Sequence, residues 1–243
     1  MSQAQNHNLT QCEVVLNGAR LVVDISGAVY WPAAEALIVA DLHFEKASAF
    51  AQRGVALPPY DTAATLDRLD ALLACYATKR LISLGDAFHD DAWAQRMAAK
   101  DAERLIALAA QQETFWVTGN HDPTPPKALP GSAHEELSLE FDAVLQFRHE
   151  PAPVSQGERR RGELAGHLHP CGKIRQRGRS LRRRCFVHDD MRMILPAFGA
   201  LTGSLNVRDA AFDDLFLAQN YRAILLGQQR LATVAPKQLL ADR

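Results

Sequence analysis

The sequence predicts an α/β fold in a single domain spanning 1–243. Three observations point there. In the first half, short apolar runs alternate with longer stretches of helical periodicity. In the second half, short strand-like runs follow one another with little helix between them. The apolar runs end in aspartate, asparagine and histidine, which are side chains with ligand chemistry.

Val14–Leu16 and Arg20–Asp24 flank Asn17-Gly18, a dipeptide that favours a two-residue hairpin turn. Ala36–Ala40 is continuously apolar, as a strand buried on both faces should be. Asp61–Tyr76 places Leu66, Leu69, Leu73 and Tyr76 on one helical face, with Asp61 as N-cap after Pro58-Pro59. Leu81–Leu84 is a second buried strand. Asp91–Ala110 is an alanine-rich helix that turns Trp93, Met97, Leu105 and Leu108 inward, and Thr114–Val117 is a third buried strand. This β-α-β-α-β order calls for parallel strands joined by crossover helices. Beyond it, Leu137–Phe147, Glu163–Ala165, Phe186–Val187, Met191–Leu195 and Tyr221–Leu226 read as strands, Asp213–Asn220 as a short helix and 151–162 as a polar, mobile loop.

Composition narrows the class. Hydrophobic residues make up 47% and charged residues 23%, so the chain is neither disordered nor collagen-like. The four cysteines form no Cys-x-x-Cys pair, which argues against a zinc ribbon and for reduced thiols. No apolar run approaches the roughly 18 residues of a membrane helix, and Met1–Thr10 lacks the apolar centre of a signal peptide, so the expected location is the cytoplasm. The net charge of −1 hides a local excess. Between Arg148 and Arg192 twelve Lys or Arg residues face five acids, and Arg148 and the run Arg182, Arg183 and Arg184 are candidates for contacts to a nucleic-acid backbone.

The chemistry gathers at the strand ends. Ala36–Ala40 leads into Asp41-Leu42-His43, Leu81–Leu84 into Gly85-Asp86-Ala87-Phe88-His89, and Thr114–Val117 into Thr118-Gly119-Asn120-His121-Asp122. The second half adds His149 and Gly166-His167-Leu168-His169. Ligands of open α/β sheets bind beyond the carboxyl ends of the strands, so these segments should meet. Residues two apart in a strand share a side, which would let Asp41 and His43 grip one ion together, and His167 and His169 too if their backbone turns slightly at the strand end. Carboxylate, imidazole and amide oxygen suit Mn²⁺, Fe²⁺ or Zn²⁺. Two such ions about 3.5–4 Å apart clamp a phosphate and activate a water for in-line attack. His134 and His188 compete with His149 for its place, and His89 could simply cap a following helix.

In this order the segments resemble the five motifs of the calcineurin-like metallophosphoesterases, and the opening Asp-Leu-His with Gly-His-Leu-His-Pro is most similar to the ligase-associated DNA damage response endonuclease (PdeM) group. The resemblance implies a four-layer α/β/β/α sandwich of two mixed sheets. It implies one ion on Asp41, His43, Asp86 and His169, a second on Asp86, Asn120, His149 and His167, and Asp86 as the bridge. His121, oriented by Asp122, would stabilise or protonate the leaving oxygen. The Gly-Asp-x-Phe-His form resembles the nuclease branch of the superfamily, where the histidine in the position of His89 contacts the substrate phosphate. The expected activity is a dinuclear phosphodiesterase or endonuclease acting on DNA in repair, with Mn²⁺ favoured and a DNA ligase or helicase as partner. A small-nucleotide phosphodiesterase, a phosphomonoesterase and a non-catalytic scaffold are the alternatives.

Overall fold

The computed structural model describes residues 9–123, 129–154, 161–217 and 220–242. The first sheet follows chain order. Strands β1 (Gln11–Leu16), β2 (Ala19–Asp24), β3 (Val29–Trp31) and β4 (Ala36–Ala40) are antiparallel neighbours. Strands β5 (Arg80–Leu84), β6 (Glu113–Val117) and β7 (Ser132–His134) then add in parallel. The turn Asn17-Gly18 has positive φ at both residues, as a tight hairpin demands. Helices α1 (Lys46–Gln52) and α2 (Asp61–Tyr76) connect β4 to β5, and α3 (Trp93–Arg96) and α4 (Ala99–Ala110) connect β5 to β6.

The second sheet is built from β8 (Glu136–Glu140), β9 (Val144–Arg148), β10 (Gly162–Ala165), β11 (Pro170–Gln176), β12 (Arg179–His188), β13 (Arg192–Ile194), β14 (Leu205–Asn206), β15 (Arg222–Leu226) and β16 (Leu231–Val234). Its spatial order is β14-β11-β12-β13-β10-β9-β8, with β15 and β16 attached through β12. Strands β9, β10 and β13 are parallel, and the hairpin β11–β12 is antiparallel.

Three apolar layers hold these parts together. Ile38, Ile82 and Val117 of the first sheet meet Phe147, Leu164, Phe186 and Ile224 of the second. Leu37, Val39 and Leu81 point the other way, onto Leu66 and Leu69 of α2 and Leu105 and Leu108 of α4. This double-sided burial explains why β4 carries no polar residue: all five of its side chains are buried. The outer face of the second sheet is covered by a 3-10 turn, Ala210–Phe212, and by Leu215, Phe216 and Tyr221.

Some elements depart from expectation for local reasons. Leu137–Phe147 is two strands, because Ser-Leu-Glu runs into a turn at Phe141–Ala143 and the pair β8–β9 folds back on itself. Asp91–Ala110 breaks at Met97, whose backbone is extended, so α4 starts only at Ala99. Asp213–Leu217 forms turns after the 3-10 segment, and 218–219, like 155–160 of the polar loop, lies outside the described residues. Asp61 lies one residue inside α2, where Tyr60 is the N-cap. Its carboxylate accepts from the Ala47 N–H at 3.0 Å and so closes the first turn of α1 instead.

One buried ion pair ties the second sheet to its cover. Arg192 Nε donates to Glu163 Oε1 at 2.7 Å, and Arg192 also donates to the Leu215 and Ala152 carbonyls. Removing the carboxylate would leave a buried guanidinium uncompensated, which costs about 3–5 kcal/mol. Glu163→Ala should therefore lower the urea midpoint by a corresponding amount without a change in metal affinity.

Candidate metal centre

The carboxyl ends of β4, β5, β6, β9 and β10 all open on one edge of the molecule. The loops after β4 and β5 stay paired beyond their strands. The N–H groups of His43 and Phe44 donate to the Asp86 and Ala87 carbonyls, both at 2.9 Å, and His89 N–H donates to the Phe44 carbonyl at 3.0 Å.

Strand alternation does not aim the ligands. Asp41, His43, Asp86, His167 and His169 all adopt left-handed φ angles between 44° and 69°. Such a conformation costs about 1–3 kcal/mol for a residue with a Cβ, and Asp and His are among the side chains that tolerate it best. Each left-handed residue turns the chain sharply, so neighbouring side chains point into one cavity. Three glycines make room for them. A Cβ on Gly85 would sit 2.3 Å from His149 Nδ1, one on Gly119 2.2 Å from Asp86 Oδ1, and one on Gly166 2.8 Å from Asp41 Oδ2.

Two donor groups result. Asp41, His43 and His169 form the first, with His43 Nε2 3.3 Å from His169 Nε2 and Asp41 Oδ1 3.5 Å from His169 Nε2. The second contains Asp41 again, with Asp86 and His149, and is extended by Asn120 and His167. His149 Nε2 lies 2.9 Å from Asn120 Oδ1 and 3.2 Å from His167 Nδ1, and His167 Nδ1 lies 3.1 Å from Asn120 Oδ1. Asp86 Oδ2 faces both groups, 3.8 Å from His43 Nε2 and 3.5 Å from His149 Nε2. Lone-pair donors converge here, and that donor set fits divalent cations of borderline hardness.

The surroundings fix the donors. His149 Nδ1 is 3.0 Å from the Leu84 carbonyl, which can only accept, so Nδ1 carries the proton and Nε2 keeps its lone pair for a metal. Asp41 accepts from the His167 N–H, and Asp86 Oδ1 accepts from the His121 N–H at 2.9 Å. His134 bonds Ser132 in β7 and His188 closes β12, and neither joins the donor groups.

His89 and His121 stand beside the metal groups. Their rings stack at 5.1 Å, and each also meets His43 edge-on. His121 Nδ1 donates to the His89 carbonyl at 3.0 Å, which leaves the lone pair on Nε2. Asp122 does not orient this ring. Its carboxylate accepts from the Gly119 N–H at 3.0 Å and the Phe88 N–H at 3.1 Å, so it clamps the β5 and β6 loops to each other. Burial pushes its pKa up to about 6, helped by the charge of Asp86 and opposed by those N–H donors. His89 does not cap α3, whose N-cap is Ala92; the Ala92 N–H donates to Asp90 Oδ1 at 3.0 Å.

Of the candidate arginines, Arg148 pairs with Glu136 and Glu163 on the second sheet. Arg182 bonds Ser204, Arg183 bonds the Arg182 carbonyl, and Arg184 donates to the Ala197 carbonyl at 2.7 Å. All three lie in β12, and none has a contact to the metal donors among the described residues. Sequence reasoning missed the support under Asp41. Phe198 and Gly199 donate to the Ala40 and Asp41 carbonyls, and a Cβ on Gly199 would meet the Leu42 carbonyl at 2.3 Å. The small-residue run around Gly199 was the available signal.

A model of the calcineurin-like phosphoesterase family matches residues 35–190. Among solved structures, a nuclease MPE from Pseudomonas putida shares 32% identity over 91% of this chain and all of its own, at a TM-score of 0.67. Yfce, a phosphoesterase from E. coli, shares 18% identity over 82% of this chain and 98% of its own, at a TM-score of 0.42. No curated protein matches the chain. No helix among the described residues is long and apolar enough to cross a membrane.

Two outcomes follow from the geometry. Gly119→Ala, whose Cβ would press on both Asp86 Oδ1 and the Asp86 backbone nitrogen, should weaken divalent-cation uptake in calorimetry, with circular dichroism as the check on the fold, whereas Gly203→Ala, with nothing within 4 Å of its Cβ, should bind as the parent does. The second concerns acid. Burial, then the charges of His169 and Lys46, push the His43 pKa down to about 2. The unfolded chain therefore binds a proton from about pH 6.5 downward that the folded chain refuses, and stability is lost as pH falls through that window. At pH 5.5 the metal-free protein should have lost about 1.4 kcal/mol from this group alone, read as a falling melting temperature that His43→Leu flattens.

Proposed function

The chain belongs to the calcineurin-like phosphoesterase family and is a phosphoesterase hydrolase, and from that premise we propose that it is a dinuclear metal-dependent phosphodiesterase that cuts nucleic acid. The observation that carries this reading is Asp86 Oδ2, a single oxygen set between His43 Nε2 and His149 Nε2. In this role Asp86 would be shared by two ions, with Asp41, His43 and His169 holding one and Asn120, His149 and His167 holding the other. Ions held there would supply positive charge for the phosphate oxygens and activate water for in-line attack. His121, with Nδ1 committed to the His89 carbonyl and Nε2 free of it, would stabilise the departing oxygen. Burial, then the charges of Lys46 and His121, hold the His89 pKa down to about 4, so at neutral pH it meets a phosphate as a neutral imidazole.

The floor of the site is closed and its rim is open. Asp41 and Asp86 are 0% and 2% exposed, whereas Asn120 and His121 are exposed. A phosphate of a long strand can therefore reach the donors without the strand threading a tunnel. The nuclease from Pseudomonas putida supports nucleic acid as the substrate class. Within this reading the substrate is DNA under repair in the cytoplasm, Mn²⁺ is the favoured ion, and a DNA ligase or helicase is the expected partner.

The test sets nicked, gapped and single-stranded DNA beside bis-nitrophenyl and mono-nitrophenyl phosphate, in Mn²⁺. DNA and the bis-ester should be hydrolysed. Asp86→Asn should lose more than the roughly 10–100-fold that removal of an outer-shell partner costs, with its fold intact. Turnover of the mono-ester alone would make the nucleic-acid reading wrong, and an unimpaired Asp86→Asn would place the chemistry elsewhere.

A further inference from the structure

The hairpin β11–β12 leaves the hydrogen-bonded ladder of the second sheet before its tip, although Ile174 and Leu181 still border Leu225 and the Gly227–Arg230 turn. Strands β10 and β13 run toward the metal edge, and Ala165, Ile194 and Val187 lie at one level across β10, β13 and β12. Strand β12 is antiparallel to β13, so its residues before Val187 continue past that level, on the side where Gly166–His169 lie. Other contacts fix the same direction. Arg184 reaches the Ala197 carbonyl, beside the segment that holds Asp41, and the Leu205 N–H bonds the His169 carbonyl next to Pro170. The β14 pairing ends at Cys171 and the β15 pairing ends at Cys185. From Ile174 to Leu181 the two strands pair only with each other among the described strands. The run from Cys171 to Gln176, at a rise of about 3.3 Å per residue, carries this arm roughly 17 Å beyond the level of the His169 motif.

The arm is wholly basic. Between Pro170 and Val187 the chain has seven Lys or Arg residues and no acid. Lys173 and Arg182 share Asp242 at the base. Arg175, Arg177 and Arg179, at the tip, are exposed, and their side chains form no hydrogen bond or ion pair among the described residues. The other flank of the metal centre has the opposite sign. There a groove of about 310 Å³ beside Asn120 and His149 is lined by Glu135, Glu136 and Glu150, with Arg148 already paired to Glu136.

We propose that the β11–β12 arm is a docking ribbon for the phosphate backbone of a nucleic acid, holding it to one side of the bond that the metal centre cuts, with Arg175, Arg177 and Arg179 as its contacts. This rests on the phosphodiesterase reading above and deepens it. The substrate is then an extended strand or duplex rather than a small diester, because an arm of this length faces about five consecutive phosphates at 3.4 Å spacing. Exposed arginines with no protein partner keep their charge and donors for those phosphates. The acidic groove repels the backbone from the other flank, so the nucleic acid lies over the arm side.

The test is a triple variant, Arg175→Gln, Arg177→Asn and Arg179→Gln. Asn is chosen at 177 because that residue has a left-handed φ of 47° before Gly178, and Asn-Gly suits such a turn. Hydrolysis of bis-nitrophenyl phosphate should stay within about twofold of the parent, since none of the three residues approaches the metals. For a duplex of about 30 base pairs, affinity at 0.1 M salt should fall about 10-fold or more, and the slope of log K against log salt should drop by about 2–3, near 0.9 per lost phosphate contact. Lysine at all three positions should retain most of the slope.

Equal DNA affinity and salt slope in parent and variant would overturn the arm alone. A parent that hydrolyses the bis-ester yet neither binds nor cuts DNA would overturn the nucleic-acid reading and the arm with it. A variant that loses binding to polyglutamate but not to DNA would assign the arm to an acidic protein, which also overturns the proposal.

Discussion

Two buried carboxylates, Asp41 and Asp86, dictate how the rest of the molecule is arranged. An ionised carboxylate removed from water costs several kcal/mol unless donors or cations surround it. Each therefore receives backbone N–H groups from a different segment, His167 for Asp41 and His121 for Asp86. Those two bonds tie the loop after β10 to the end of β4, and the loop after β6 to the end of β5. The two sheets are consequently joined at the metal edge by polar contacts and behind it by the apolar layer of Ile38, Ile82, Phe147 and Leu164. Cations between the carboxylates would complete the compensation and brace the same edge, so metal affinity and fold stability are coupled through these two side chains.

The left-handed backbone at Asp41, His43, Asp86, His167 and His169 is strain that the protein sustains because its surroundings leave no alternative. The N–H groups of Asp41, His43 and Phe44 are committed to carbonyls of the neighbouring loop, and the ligand side chains fill the space that the missing Cβ atoms of glycines 85, 119 and 166 leave. Preorganisation follows: the donors already converge, so binding an ion does not have to order them. Asp122 serves the same end, since its clamp on Gly119 and Phe88 fixes the separation of the Asp86 and Asn120 loops.

Much of this was legible in the chain. Fully apolar strands such as Ala36–Ala40 announce a sheet covered on both faces, and ligand-type residues at each strand end announce where a site must assemble. Features set by tertiary context were not legible. The alternating rule for strands misjudged how Asp41 and His43 come together, because their orientation comes from left-handed turns imposed by the adjoining loop. Asp61 carries the chemistry of a helix cap, and only the fold shows that the helix it serves is α1 rather than its own. Likewise, Asp122 adjoins His121 in sequence, yet its oxygens are taken by two backbone amides. The break at Met97 depends on packing that no helical periodicity records.

Charge was legible as a count but not as a shape. The arginines 182–184 look alike in the chain, yet in β12 their alternation sends them to different tasks. Arg184 is drawn inward to a carbonyl near the Asp41 segment, and its charge, with that of Arg68, is partly desolvated, which pushes both pKa values down. Guanidinium groups spent in this way set the position of the hairpin relative to the metals. The cations left over at the tip owe nothing to the fold, and an exposed cluster of one sign raises the local potential for an anionic partner. A basic ribbon on one flank and glutamates on the other make the edge electrostatically one-sided. A polyanion would thereby be oriented before any specific contact formed, and its phosphates would meet the site at the water-accessible rim of Asn120 and His121.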